Sequence, residues 1–175
     1  TAMNTSFIRF FFLSLLMVLL QVVVFNRIHL FGIAIPLVFI YVIIKLPLSL
    51  STVWVLTVSF LLGLAVDIFS NTPGMNALAC TILAFVRRPV LSLYLQHGSD
   101  YIADEPSIRG FGTGLFVRYA LSLTLIYCFL LFVIESFFLF DALYLVLHIV
   151  CSTLLTFVLI LCFDSLSPGR REKRL

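Results

Sequence analysis

Long apolar runs separated by short polar segments occupy almost the whole chain. A helix rises 1.5 Å per residue, so about 20 apolar residues are needed to cross the roughly 30 Å hydrocarbon layer of a membrane. This rule predicts about six spans, which lie at residues 7–25, 31–46, 50–69, 73–95, 111–134 and 142–163. The second is short and ends on Lys45, whose long side chain is expected to extend toward the lipid headgroups.

The fourth segment is interrupted by charge. It is expected to begin near Pro73, with Asn71 or Thr72 as its cap. Only about 12 apolar residues, some 18 Å of helix, then precede Arg87 and Arg88. Either the arginines reach the interface from a nearly upright helix, or the helix continues through residues 90–95 along the membrane surface. We favour the second interpretation.

The composition changes the class of protein under consideration. The chain is 62% hydrophobic and 11% charged, and its mean hydropathy is +1.20, whereas soluble domains are roughly a quarter charged. We therefore predict an all-α fold: one polytopic membrane helical bundle over residues 1–175, with a basic tail at 165–175. Met3 is typical of a natural start, so Thr1 and Ala2 are interpreted as an expression scar. No nucleic-acid partner is expected.

Basic residues are distributed unevenly among the predicted loops. With six spans, one side of the membrane receives nearly all of them, and the other side receives only Arg27. Because basic loops stay in the cytoplasm, both termini are predicted to be cytoplasmic and the 67–76 junction to lie on the outer face. The basic side carries Arg9, Lys45, Arg87, Arg88, Arg109, Arg170, Arg171, Lys173 and Arg174.

Asp67 is the conspicuous polar residue of the third span. A carboxylate in or near hydrocarbon is costly, so by default its presence suggests a functional site. The simpler interpretation is structural: an Asp before Asn71 and Thr72 can bind turn amides or cap the fourth helix. We favour the structural role, because no second titratable group lies nearby in sequence. Coupling of a protonated Asp67 to helix packing stays open.

Other candidate chemistry is sparse. His148 lies inside the sixth span and is more simply explained by packing than by a proton relay. The four cysteines all lie in apolar segments and are interpreted as small buried hydrophobes, at Cys80, Cys128, Cys151 and Cys162. No metal-ligand spacing, cofactor motif or catalytic signature is present, so neither metal nor cofactor is expected and an enzyme is disfavoured.

Several residues are candidates for contacts with a partner or with lipid. Arg87 and Arg88 could bind a partner or anionic headgroups, although insertion topology alone also explains basic residues at a span end. Small residues let helices approach closely in lipid, and they occur at Gly63, Gly110, Gly112 and Gly114.

The stretch "FLLGLAVDIFSNTPGMNALACTILAFVRRPVL" at residues 60–91 resembles the rod shape-determining protein MreD family. The chain length, the predicted number of spans and the basic tail are similar to that family as well. The positions that match its signature are Gly63, Asp67, Ser70, Pro73, Gly74, Asn76, Ala77 and Leu78. Where we would expect S-G or S-x-S before the proline, this chain has Asn71, which tolerates the left-handed conformation nearly as well as Gly.

The resemblance implies a non-enzymatic component of the peptidoglycan elongation complex in the bacterial inner membrane. It further implies binding to an MreC-like bitopic protein, and through it to MreB, RodA and a penicillin-binding transpeptidase. It also implies a fold similar to the S components of energy-coupling-factor transporters. The alternative function is therefore a ligand-binding transport module, in which Asp67, Asn71, Asn76 and Trp54 would line an outward-facing pocket.

Overall fold

The computed structural model describes residues 2–24, 35–72, 74–95, 105–136 and 142–166, and this part of the chain is mostly helical, with no strand. Four helices, α3, α4, α6 and α7, are long and apolar enough to cross a membrane, and α1 contains a shorter apolar stretch, Phe10–Val23. A membrane helical bundle is thus supported, and the number of six spans stays a prediction. The helices are α1 Ala2–Val23, α2 Ile40–Lys45, α3 Thr52–Ser70, α4 Met75–Leu95, α5 Ile108–Phe111, α6 Thr113–Ser136 and α7 Ala142–Leu166.

Neighbouring long helices pack in the order α1, α3, α4, α6 and α7, and the short helix α2 lies among α1, α4 and α6. Apolar side chains point inward as well as outward, as expected when a bundle has no water to avoid on its outer surface. The fully buried apolar side chains include Phe39, Ile40, Ile43, Ile44, Leu83, Phe116 and Leu123. The core therefore forms around α2.

The prediction of one continuous helix over residues 31–46 is wrong. Residues 35–39 are not helical, and α2 has only six residues; residues 31–34 lie outside the described part of the chain. Pro36 explains the break, because a proline lacks the backbone donor and disfavours helical conformation in the residue before it.

Side chains from two other helices satisfy the backbone of this broken segment. Gln21 of α1 donates to the Pro36 carbonyl (2.9 Å) and accepts from the Val38 amide (2.9 Å). Ser152 and Thr156 of α7 accept from the amides of Ile35 (3.1 Å) and Leu37 (3.0 Å). Irregular backbone is tolerated at membrane depth only where protein or water supplies such partners. The segment consequently joins α1 to α7.

Helix α4 is continuous from Met75 to Leu95 and contains Pro89. The preferred interpretation, in which the helix passes beyond the arginines, is confirmed. The expectation that residues 90–95 lie along the membrane surface stays a prediction; within the bundle, Val90 and Leu91 are buried against the core. Helix α6 begins at Thr113, since Gly112 has φ +82° and separates it from α5.

Candidate functional site

The chain reverses direction between α3 and α4 in a tight junction. The helix α3 ends at Ser70, and Asn71 follows in the left-handed conformation with φ 56° and ψ 36°. This is the conformation that Asn was expected to tolerate in place of Gly. The amides of Asn71 and Thr72 both donate to the Asp67 carbonyl, and Gly74 has φ +76°. The structure does not describe Pro73.

The Asp67 carboxylate caps the following helix. It is 4% exposed; Oδ1 accepts from the Asn76 amide (3.0 Å), the Asn76 Nδ2 (2.9 Å) and the Thr72 hydroxyl (2.7 Å), and Oδ2 accepts from the Ala77 amide (2.8 Å). First-turn amides have no partner inside their own helix, and the helix dipole favours a negative charge there. The capping interpretation of Asp67 is therefore confirmed.

Gly63 lies where α3 and α4 touch. An ideal Cβ at this position would lie 2.6 Å from the Ala77 Cα and 2.6 Å from the Asn76 carbonyl oxygen. Close approach of a neighbouring helix at Gly63 is confirmed, but that helix belongs to the same chain. The hypothesis that Gly63 forms a surface for a partner helix is therefore wrong.

A tyrosine from α6 completes the arrangement. The Tyr127 hydroxyl donates to Asn76 Oδ1 at 2.6 Å, and its ring packs edge-on against Phe39 at 5.8 Å. Sequence reasoning missed Tyr127, because an isolated Tyr in an apolar span carries no spacing signal. We call Asp67, Thr72, Asn76, Ala77 and Tyr127 the junction cluster.

A cleft of about 440 Å³ lies beside the junction cluster, lined by Leu64, Asp67, Ile68, Asn71, Thr72 and Gly74. The Thr72 hydroxyl donates a hydrogen bond to Asp67 Oδ1, so the polar atoms of both side chains already have partners inside the protein. Asn76 is buried behind the cleft. Trp54, on the same helix as Asp67, lies about 20 Å away along its axis, so the expected four-residue pocket does not form.

The two adjacent arginines hold the turn between α2 and α3. Arg87 is 2% exposed; its Nε donates to the Tyr119 hydroxyl at 3.0 Å and its Nη2 donates to the Leu46 carbonyl. Arg88 donates to the Leu50 carbonyl at 2.6 Å. The buried side chain of Arg87 excludes the candidate contact of this residue with lipid or a partner. Arg88 is exposed and stays a candidate for that contact.

Lys45 does not extend toward headgroups, which corrects the expectation from its place at a span end. It is 6% exposed, as is Asp164 of α7, and its Nζ lies 3.3 Å from Asp164 Oδ1. The Tyr41 hydroxyl also donates to Asp164 Oδ1 (3.0 Å), and the Ile108 amide donates to Oδ2 (2.9 Å). Sequence reasoning missed this ion pair, because its members are 119 residues apart.

The candidate glycines before the fifth predicted span have different roles. The Gly110 amide donates to the Ser107 hydroxyl at 3.0 Å and so belongs to the first turn of α5. Gly112 and Gly114 are exposed, and a Cβ on either would meet nothing within 4 Å. No helix of the described chain uses the space beside these two glycines, and they stay candidates for a partner contact.

His148 and the cysteines mostly follow the expectation of packing. The His148 ring packs edge-on against Phe132 with centroids 5.1 Å apart. Cys80 and Cys128 are buried, whereas Cys162 is exposed, so the expectation of burial is wrong there. Within the described ranges no three His, Cys, Asp or Glu side chains come together as metal ligands. Comparison of the chain with known proteins gives no match to a family model, a curated protein or a solved structure.

Proposed function

We propose that the protein is a non-enzymatic membrane scaffold of the peptidoglycan elongation complex that binds an MreC-like bitopic protein. The resemblance of residues 60–91 to the MreD signature motivates the proposal. Through the MreC-like protein the scaffold would connect to MreB, RodA and a penicillin-binding transpeptidase. Its S-component-like fold is part of the same proposal.

The observation that carries the proposal is that the signature residues Asp67 and Gly63 hold helices α3 and α4 together. Asp67 accepts four hydrogen bonds from its own junction, and Gly63 lets α3 and α4 touch. These residues are thereby engaged in holding two helices together. A carboxylate whose oxygens already accept hydrogen bonds from its own junction is occupied in holding the fold. This arrangement suits a scaffold better than a catalyst.

Uncovered helix surface provides room for a partner. One face of α1 is more than half exposed within the chain, at Ile8, Phe11, Phe12, Leu15, Leu16 and Leu19. Gly112 and Gly114 are open as well. In lipid, helices associate through close van der Waals packing rather than through the hydrophobic effect, so lipid or a partner's transmembrane helix could occupy either surface.

We propose location in the bacterial inner membrane with both termini in the cytoplasm. The uneven distribution of basic residues supports this orientation. Carboxyl-terminal fusions provide a test: a fluorescent protein that folds only in the cytoplasm should be fluorescent, and alkaline phosphatase should be inactive. The opposite pair of results would reverse the orientation.

The main test is co-expression with the MreC-like protein and purification through a tag on only one of them. A stable complex in comparable amounts is expected. Gly114→Leu should then weaken co-purification without loss of expression, because the new side chain has free space in this chain and fills the space a partner helix needs. Thr113→Leu, which adds bulk at the adjacent exposed position, is the matched control. Clean separation of the wild-type proteins, repeated in nanodiscs, would contradict the proposal.

The cleft beside Asp67 favours a second candidate, a small-ligand module of the S-component kind. Its volume, about 440 Å³, falls within the range of ligand pockets. A bound ligand raises the free energy of unfolding by RT ln(1 + [L]/Kd), so a thermal-shift screen with vitamins would reveal it. Stabilisation by one vitamin, lost in Leu64→Trp, would support this candidate; no shift with any vitamin would remove it.

A further inference from the structure

A closed ring of contacts joins five helices at the end of the bundle opposite the junction cluster. The end ring consists of Lys45, Arg87, Tyr119, Phe111, Ile108 and Asp164. Lys45 pairs with Asp164, Asp164 accepts from the Ile108 amide, and Phe111 packs edge-on against Tyr119 at 6.4 Å. Tyr119 accepts from Arg87, which donates to the Leu46 carbonyl next to Lys45. Ile108 and Phe111 are linked through the backbone of α5, and Leu46 is bonded directly to Lys45, so the ring is complete.

Asp164 divides its two oxygens between separate parts of the fold. Oδ1 faces α2, where it accepts from the Tyr41 hydroxyl and the Lys45 ammonium. Oδ2 faces α5, where it accepts from the Ile108 amide at 2.9 Å. Ile108 is the first residue of α5, and first-turn amides need a partner outside their helix. Asp164 supplies that partner from α7.

The segment that Asp164 holds, residues 105–112, contacts the bundle through buried Pro106 and Phe111 and through half-buried Ile108. Helix α5 is a single turn capped by Ser107. Among the described side chains of α5, Phe111 is buried, with 6% exposure. Gly112 follows with φ +82° and no neighbour within 4 Å of a Cβ. A glycine without steric neighbours allows large dihedral changes at little cost, which is what a hinge requires.

We propose that Asp164 is a latch residue for residues 105–112. Its carboxylate holds this segment against the bundle, and the segment pivots about Gly112 when the hydrogen bond between Asp164 and Ile108 breaks. Opening uncovers the Phe111 side chain beside exposed Gly112 and Gly114. The buried ion pair with Lys45 fixes the Asp164 carboxylate where it can accept from the Ile108 amide. Exposure of Phe111 therefore depends on contacts inside the bundle. The latch does not depend on the identity of any partner.

Hydrogen exchange of the full chain in detergent micelles, followed by mass spectrometry, tests the latch. Asp164→Asn keeps the shape of the side chain but replaces one acceptor oxygen with a donor, so it cannot serve both α2 and α5. We expect the amides of Gly110 and Phe111 to exchange about tenfold faster, a larger increase than at the amides of α3 and α4, which speed up only as far as the lost ion pair lowers global stability. Cys162→Ser, an exposed change on the same helix, should leave all rates unchanged.

A second variant keeps the test valid if Asp164→Asn fails to fold. Ile108→Pro removes the amide donor and leaves the ion pair with Lys45 intact. Proline suits the first position of a helix, and the preceding Ser107 is extended, with φ −155° and ψ 160°, as a residue before proline should be. Faster exchange confined to Gly110 and Phe111 would support the latch. Unchanged rates there, or an equal rise throughout α3 and α4, would overturn it.

Discussion

The junction cluster and the end ring both bury charge inside an apolar bundle, but they are built differently. In the junction cluster, Asp67 finds its partners 5 to 10 positions away, and only neutral donors surround it. In the end ring, Arg87 reaches Tyr119 across 32 positions and Asp164 reaches Lys45 across 119. Apart from Tyr127, the junction cluster is local, and it contains a single formal charge, whereas the end ring is long-range and contains three.

Because their contacts differ in sequence separation, the two clusters can form at different stages of folding. Closing a short loop costs less chain entropy than closing a long one, so the α3–α4 hairpin can form its capping contacts by itself. The end ring needs α2, α4, α5, α6 and α7 in place together. Local contacts stabilise a hairpin, and long-range contacts specify how the hairpins assemble.

Removing one member of the buried ion pair should have the largest effect. Lys45→Met leaves Asp164 buried without its cation, which should lower the free energy of unfolding by about 3–5 kcal/mol. Unfolding by SDS in mixed micelles provides the measurement. Lys45→Met combined with Asp164→Leu should recover much of the loss, because an apolar pair can replace a buried ion pair at little cost. A double variant as unstable as the single one would contradict this account.

Adding one methyl group at the α3–α4 contact should come next. Gly63→Ala places a Cβ against the backbone of α4, where no side chain can move aside, and we expect a loss of about 3 kcal/mol. Gly114→Ala is the matched control: a Cβ there meets nothing, so better helix propensity should stabilise by up to about 1 kcal/mol. Equal thermal midpoints for the two variants would refute the close-contact argument.

A smaller loss is expected at the cap. Asp67→Asn keeps the size of the side chain but turns an NH₂ group toward one of the amides that the carboxylate accepts from. The free energy of unfolding should fall by about 2 kcal/mol. Chemical or thermal unfolding in detergent measures it, with Glu135→Gln, an exposed change on α6, as the control. A loss below about 0.5 kcal/mol would mean that the cap contributes little.

The smallest effect is expected for the one long-range member of the junction cluster. Tyr127→Phe removes the hydroxyl that donates to Asn76 and leaves a buried acceptor without that donor, at a cost of about 1 kcal/mol. Tyr94→Phe, which breaks a partly buried bond to Ser122, should cost less, since water or another polar group can replace its partner. If the two losses are equal, burial at Tyr127 does not matter.

Much of the junction could be predicted from sequence because its chemistry is local. An Asp one turn before the end of a helix, followed by Asn71 and Thr72, already places a carboxylate near the amides of the next helix. The left-handed Asn71 follows from the same stretch. The predicted partner surface at Gly63 failed for a related reason: small-residue spacing shows that a helix approaches closely, but it does not identify which helix.

The sequence by itself determined the class of the fold, its apolar helices and the cap at Asp67, because periodicity, apolar length and capping depend on residues close together in the chain. Only the tertiary structure decided whether the side chains of Lys45, Arg87 and Asp164 reach water or find partners inside the bundle. Each is a charge near a predicted span end, where snorkelling to water and pairing inside the bundle are both possible. Which occurs depends on whether another helix brings a partner within about 3 Å, and that distance is set by the packing of elements far apart in sequence.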